Sequence, residues 1–432
     1  MIRLRSLRDT FSFLHGNILI LTITGAFGMF CRSMVFPYAS LYVLALGGDP
    51  SQIGLINSLG SVAGLLVYPI AGYLTDVAGR VRLIALAGYI AGLTLLLYVF
   101  APSWHLLALG ALLQGFLVFQ FPPSSAIIAD SLPPQARARG VATMGMITGT
   151  VALFSPYAAG AAIDQLGVIP GMRLLYGVMA AFALVSATVN GRFLSETRQT
   201  SPSRLTITQL GNTLKSAYAT VPATLRELPR CLRAIAAVTT LGFMANALAG
   251  PYWVVYAVDV IGLSTVDWGL ILLIETAVRN LAYIPAGVLV DRHGKTPFLL
   301  CALLAALVAA PMFIFAKSFA AILLIRATFA IATAFFIPAS IALVADCTPR
   351  ASRGRIMAMM GRGALVLGPA AGGTGGPGVG LLTIVPLVLA SLTGGYLYTA
   401  NPNYPWIAVT VITAISLVVL IAFVRDPARA ET

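Results

Sequence analysis

Three arginines stand inside long apolar runs: Arg32, Arg279 and Arg326. An Arg, Lys or Asp at the centre of a membrane helix costs about 2.5–3.5 kcal/mol on insertion scales, so a charge kept at that depth is a candidate for binding or coupling. Glu275 precedes Arg279 by four residues, a spacing that sets both on one helix face within pairing reach. It is also the single carboxylate deep in such a run, since Asp259 and Asp267 lie towards run ends. A carboxylate so placed either carries a proton or balances neighbouring cations. If Glu275 pairs with Arg279, then Arg32 and Arg326 remain as unmatched cations, and a guanidinium grips carboxylate or phosphate through two parallel hydrogen bonds. These residue types favour an anionic or zwitterionic solute, with Gln114 and Asn246 as further polar groups in apolar runs. The plainer alternatives are an Arg326 that snorkels outward, about 10 Å by helix rise from the start of its run, and a Glu275–Arg279 strut that only ties helices together.

Membrane helices must position these groups. The chain is 59% hydrophobic and 9% charged, where a soluble domain carries about 25% charged residues. Twelve runs approach the roughly 20 apolar residues a span needs. They lie near 17–45, 52–75, 82–101, 104–130, 140–164, 172–194, 232–261, 266–290, 297–316, 319–346, 379–399 and 405–424, six in each half. Backbone groups in lipid must be satisfied within the segment, which makes these runs helices, and the period-2 pattern of a barrel is absent. The net charge of +13 does not point to nucleic acid. With the amino end inside, inner segments hold 22 of the 27 basic residues, and outer segments hold only Arg173 and Lys317. That asymmetry is the positive-inside rule, and it puts both termini in the cytoplasm. Residues 195–231 form the one long polar segment. They read as a cytoplasmic linker, with an interfacial helix at 205–220, between an N-terminal bundle at 1–194 and a C-terminal bundle at 232–432. Residues 354–367 read as an interfacial helix and the glycine-rich 368–378 as a loop near the inner face.

The halves echo each other. Gly72, Asp76, Gly79 and Arg80 return 215 residues later as Gly287, Asp291, Gly294 and Lys295. Pro37, Tyr38 and Tyr42 return at an offset of 214 as Pro251, Tyr252 and Tyr256, and Asp130 returns at 216 as Asp346. Repetition at about half the chain length, in the same order, is the mark of a tandem duplication.

With these motifs in view, the turn Gly72-x-Leu74-x-Asp76-x-x-Gly79-Arg80 resembles the signature loop of the major facilitator superfamily. Its second copy, Gly287-x-Leu289-x-Asp291-x-x-Gly294-Lys295, stands in the corresponding place between the eighth and ninth spans. The resemblance implies two six-helix bundles related by a pseudo-two-fold axis. They form a secondary transporter that moves a small organic solute across the plasma membrane by alternating access about a midplane site. It implies that the first, fourth, seventh and tenth spans face the path, with Arg32, Gln114, Asn246, Glu275, Arg279 and Arg326 as pathway candidates. It further implies a cytoplasmic gate of Asp76, Arg80 and Asp130, repeated as Asp291, Lys295 and Asp346, with Asp76 beside a helix amino terminus where a carboxylate is favoured. The bland alternative is a solvated turn that anchors topology. Two readings of the transported solute stand side by side: efflux of amphipathic drugs by proton antiport, and carriage of an organic anion or sugar. The chain departs from the drug–proton pattern, since Ala111 takes the place of the arginine expected three residues before Gln114-Gly115. The antiporter letters Gly-Pro-x-x-Gly-Gly, expected in the fifth span, occur instead at Gly368–Gly373, against Ser155-Pro156 in the fifth.

Other classes find little support. No HExxH, Gly-x-Ser-x-Gly or complete phosphate-binding loop is present. An enzyme is therefore not expected, nor a cofactor or metal. The four cysteines are far apart in sequence, which supports no disulfide framework and reads as buried apolar thiols. Tyr38, Tyr42, Tyr252, Trp253 and Tyr256 read as an interfacial aromatic belt or packing, with an outer gate as the alternative. The expected partners are a small solute, membrane lipid and protons, and the expected state is a monomer. A non-transporting membrane receptor is the remote alternative.

Overall fold

A computed structural model describes residues 14–77, 79–133, 137–197, 211, 214–216, 218–219, 228–348 and 381–424. Among the described residues, twelve helices are long and apolar enough to cross a membrane. They are α1 (Gly16–Ala45), α2 (Pro50–Val77), α3 (Arg80–Val99), α4 (Trp104–Ser131), α5 (Arg139–Leu166) and α6 (Val168–Phe193). The second set is α7 (Arg230–Val260), α8 (Thr265–His293), α9 (Thr296–Phe315), α10 (Phe319–Asp346), α11 (Leu381–Ala400) and α12 (Tyr404–Phe423). No strand occurs among the described residues. The outward faces carry Leu281, Ile284 and Phe315 at 78%, 79% and 77% exposure. Exposed apolar surface of that extent suits lipid rather than water. The interfacial helix expected at 205–220 falls on partly described residues, of which Leu214–Ser216 are helical. The readings for 354–367 and 368–378 lie outside the described residues.

The duplication governs the packing. In the first half α1 packs on α5 and α6, α2 on α4, and α3 on α6; in the second, α7 packs on α11 and α12, α8 on α10, and α9 on α12. The first helix of each set breaks at its proline into a 3-10 turn, Phe36–Tyr38 and Gly250–Tyr252. The signature turns end on Gly79 with φ +81° and Gly294 with φ +89°. That left-handed backbone admits glycine without the Cβ penalty, which is the physical reason the two turns share this letter.

Across the seam between halves, α2 packs on α11 and α5 on α8. A Cβ at Gly160 would run into Thr265 O, and one at Gly54 into Ser391 O, so backbone lies on backbone there. Described hydrogen bonds between halves gather towards the end of the molecule away from the start of α1. Tyr38 Oη donates to Pro156 O of its own half at 2.7 Å and also lies 3.2 Å from Thr265 O, while Tyr252 Oη donates to Pro50 O at 3.0 Å. The two seam contacts stand at repeated positions, since Tyr252 and Thr265 are the second-half counterparts of Tyr38 and Pro50. Thr265 Oγ1 donates to Gly160 O at 2.9 Å, and Ser391 Oγ to Gly54 O at 3.2 Å. The aromatic group reads as interior packing and not as a belt: Tyr38, Tyr42 and Tyr252 are fully buried, Trp253 and Tyr256 nearly so.

Candidate functional site

At mid-depth the first half contains a cavity of about 190 Å³. α1 supplies Arg32, Phe36 and Ala39; α2 supplies Asn57 and Gly60; α4 supplies Ala111, Gln114 and Gln120; Tyr98 and Tyr176 form a wall. Arg32 is the one charged group among these lining residues, and its guanidinium lies 4.6 Å over the Phe36 ring. Gln114 Nε2 donates to Thr94 Oγ1 at 2.7 Å and Ala91 O at 3.1 Å, so α3 fixes the amide. The Tyr98 and Tyr176 rings stack at 4.6 Å. One guanidinium, carboxamides and aromatic faces in a partly apolar cavity are chemically suited to a flat or apolar body that carries an acidic or hydrogen-bond-accepting head.

The same place in the second half is filled. Ala39, Gly60 and Ala111 correspond, at offsets of 214, 215 and 215, to Trp253, Glu275 and Arg326. Arg326 Nη2 pairs with Glu275 Oε2 across α10 and α8. Arg279 Nη1 approaches the other Glu275 oxygen at 3.8 Å. The Arg326 guanidinium lies 4.8 Å from the Trp253 ring and 5.8 Å from that of Trp268. Arg326 is 0% exposed, and its Nε and Nη1 have no hydrogen-bond partner among the described residues. Ring faces, through their negative quadrupole, are the surroundings these donors meet.

This arrangement corrects the charge count made on spacing alone. Arg326 is not a lone cation and does not snorkel; it is the closest partner of Glu275, and Arg279 is the more distant one. Among the described residues, Arg32 faces the open cavity with no ion pair described. Arg32 and Gln114 share the first-half cavity, whereas Glu275, Arg279 and Arg326 form the second-half cluster. Asn246, the counterpart of Arg32, touches neither by any described hydrogen bond, and its Oδ1 is buried without a partner among the described residues.

At the end of the molecule where α1 begins, the signature turns carry ion pairs. Arg80 Nη1 pairs with Asp130 Oδ2, and Lys295 Nζ with Asp346 Oδ2 at 2.6 Å. Asp76 falls in the last turn of α2, its side chain outside the described residues, and Asp291 is exposed at the end of α8. Sequence reasoning missed Thr197, whose Oγ1 accepts from Arg80 at 2.6 Å, and Glu196, whose carboxylate accepts from Val81 N at 3.0 Å. Their signal was position: they close the first six-helix set, where a polar stretch returns beside the turn. Asn57, Tyr98 and Tyr176 were also missed. Asn57 could have been found as a carboxamide inside an apolar run.

The Major Facilitator Superfamily model matches residues 21–279 and 235–432, which together take in both halves. Over 158 residues the chain is 34% identical to the multi-drug resistance efflux pump PmrA homolog of Lactococcus lactis subsp. lactis (strain IL1403), covering 35% of this chain and 38% of that protein. Over 170 residues it is 30% identical to multidrug resistance protein MdtG of Serratia proteamaculans (strain 568), covering 37% and 41%. The chain thus matches about two fifths of the length of these curated relatives. A bacterial homolog of the human lysosomal transporter Spinster, solved in an inward-facing and occupied conformation, superimposes with a TM-score of 0.68 at 15% identity over 94% of this chain and 95% of that one. Two tandem helix sets, twin signature turns and a family match over both make this chain a member of the Major Facilitator Superfamily, with that family's multi-pass transporter fold.

Proposed function

We propose that the chain is a secondary transporter that exports amphipathic organic solutes, acidic ones above all, with Arg32 as the solute-binding cation. The carrying observation is the first-half cavity, where a single guanidinium faces carboxamides and aromatic rings. Residues 1–194 and 232–432 are the two bodies that move, joined by 195–231. The basic residues set both termini in the cytoplasm of a cell that carries the protein in its plasma membrane as a monomer. On that orientation the hydrogen-bonded seam is on the outer side. Export is supported by the efflux pumps among its relatives.

Efflux of lipophilic cations is the second reading, favoured by the same relatives. It needs an available deep carboxylate, and Glu275 is held by two arginines. Within the proposal Glu275 serves coupling: a proton taken up there releases Arg326, and its loss restores the pair. The Asp130 and Asp346 pairs serve as the cytoplasmic gate.

Purified protein in liposomes, with a pH gradient imposed, tests this. A lipophilic carboxylate should move and a lipophilic cation should not, and the movement in Glu275→Gln should no longer respond to the gradient. Equal movement of cation and carboxylate would reject the substrate class. Undiminished sensitivity to pH in Glu275→Gln would reject the proton role.

A further inference from the structure

Cys231 and Cys347 are 116 residues apart in sequence, yet their sulfur atoms lie 3.2 Å apart. Cys231 is the second residue of α7; Cys347 directly follows α10 and caps it, its N–H donating to Leu343 O. Cys231 is half-buried and Cys347 buried, so a small reagent reaches the first sulfur and the second waits behind it. Cys31 is buried in α1 and Cys301 is exposed on α9, and neither sulfur is described against another cysteine. A disulfide has a bond length of about 2.05 Å, so the two sulfurs need approach by only about 1 Å, within the swing of side chains at two helix ends.

We propose that Cys231 and Cys347 form an oxidation site, at which a hydroperoxide converts the dithiol into an intramolecular disulfide that ties the ends of α7 and α10 together. Cys231 sulfur attacks the terminal peroxide oxygen; the O–O bond breaks, an alcohol (or water) leaves, and Cys231 becomes a sulfenic acid. Cys347 sulfur then displaces the sulfenic oxygen as water and forms the S–S bond. Two thiols lose two electrons and two protons; the peroxide gains both, one oxygen leaving as alcohol and the other as water. A dithiol reductant reverses the step by exchange.

The tie falls where the second half would have to yield. α10 ends on Asp346, the partner of Lys295, and Cys347 is the next residue. A covalent bond from that point to the start of α7 fixes two helix ends to each other. Resting on the transport reading, the oxidised protein is a slowed carrier; the cross-link itself does not depend on that reading.

The experiment treats the full-length protein in liposomes with hydrogen peroxide, followed by differential alkylation and peptide mass spectrometry. The expected result is a Cys231–Cys347 linked peptide in most molecules, formed with Cys301 still alkylatable and lost on adding dithiothreitol. Phenylarsine oxide, which bridges two neighbouring thiols, should block both cysteines together in the untreated protein. Failure to form the linked peptide while Cys301 is oxidised would overturn the site. Cys231→Ser and Cys347→Ser should each abolish the link and fold as the parent does. Solute flux should fall at least fivefold on oxidation in the parent, return on reduction, and stay unchanged in either serine variant. A linked peptide with undiminished flux would overturn the restraint. Absence of flux before any oxidant would overturn the transport reading and leave the peptide result standing.

Discussion

The two halves share a backbone plan and differ in what occupies one equivalent space. In the first, Ala39, Gly60 and Ala111 leave room, and Arg32 looks into it. In the second, Trp253, Glu275 and Arg326 close the room from the same three helix positions and neutralise much of the charge they bring. Arginine has changed helix between copies: Arg32 faces Asn246 in the alignment of halves, and Ala111 faces Arg326. The same three positions thus line an open cavity in one half and a packed electrostatic cluster in the other. On the proposed function, binding falls to the first half and coupling to the second.

That contrast can be broken most severely at the filled site. Glu275→Ala leaves Arg326 buried and uncompensated, a change that costs about 3–5 kcal/mol. Unfolding by denaturing detergent should show that loss, and Glu275→Leu with Arg326→Met should recover most of it. A cost below about 1 kcal/mol, the range of exposed pairs, would mean that the buried cluster does not hold the second half together.

The open site predicts a different pattern. Arg32→Ala should leave stability nearly unchanged, because the side chain faces a cavity. Loss of a hydrogen bond to a charged group is worth about 1.5–3 kcal/mol, which is roughly a 10- to 150-fold weakening for a carboxylate solute. Titration of binding and the KM for flux both read it. Weakening of less than twofold, or a stability loss as large as that of Glu275→Ala, would dissolve the distinction between the halves.

The smallest effect concerns what the halves hold in common. Tyr38→Phe and Tyr252→Phe each remove one hydrogen bond across the seam, worth about 0.5–1.5 kcal/mol. Opening at that end, followed by alkylation of cysteines introduced beside the seam, should rise by similar factors in both variants. A marked effect from one tyrosine alone would show that the repeated bond is not mechanically repeated.

Much of the fold was legible because membrane helices announce themselves by length and apolarity, and duplication by constant offsets. Gly79 and Gly294 could be paired on sequence, as could Arg80 with Asp130 and Lys295 with Asp346 once the family resemblance was seen. Contacts between distant helices were not legible. The four-residue rule favours Arg279 as the partner of Glu275, but it sees one helix only; Arg326 comes from another helix, 51 residues on, and lies closer. The filled pocket left a trace that spacing alone did not use, namely three small residues opposite three large ones at fixed offset. Cys231 and Cys347 left none, since nothing within a 116-residue separation says that two helix ends meet. Apolar aromatics such as Tyr38 and Trp253 suit lipid interface and protein interior equally, so hydropathy could not separate the two.

The glycines along the seam bear on how such a molecule opens. Interlocked side chains must leave their neighbours' grooves before two surfaces part, and each departure adds to the barrier. At Gly54, Gly160 and Gly269 there is nothing to withdraw: main chain rests on main chain or on a tyrosine hydroxyl. Where main chain meets main chain few rotamers need resetting as the surfaces part, so the side-chain hydrogen bonds of the seam are what a separation has to break.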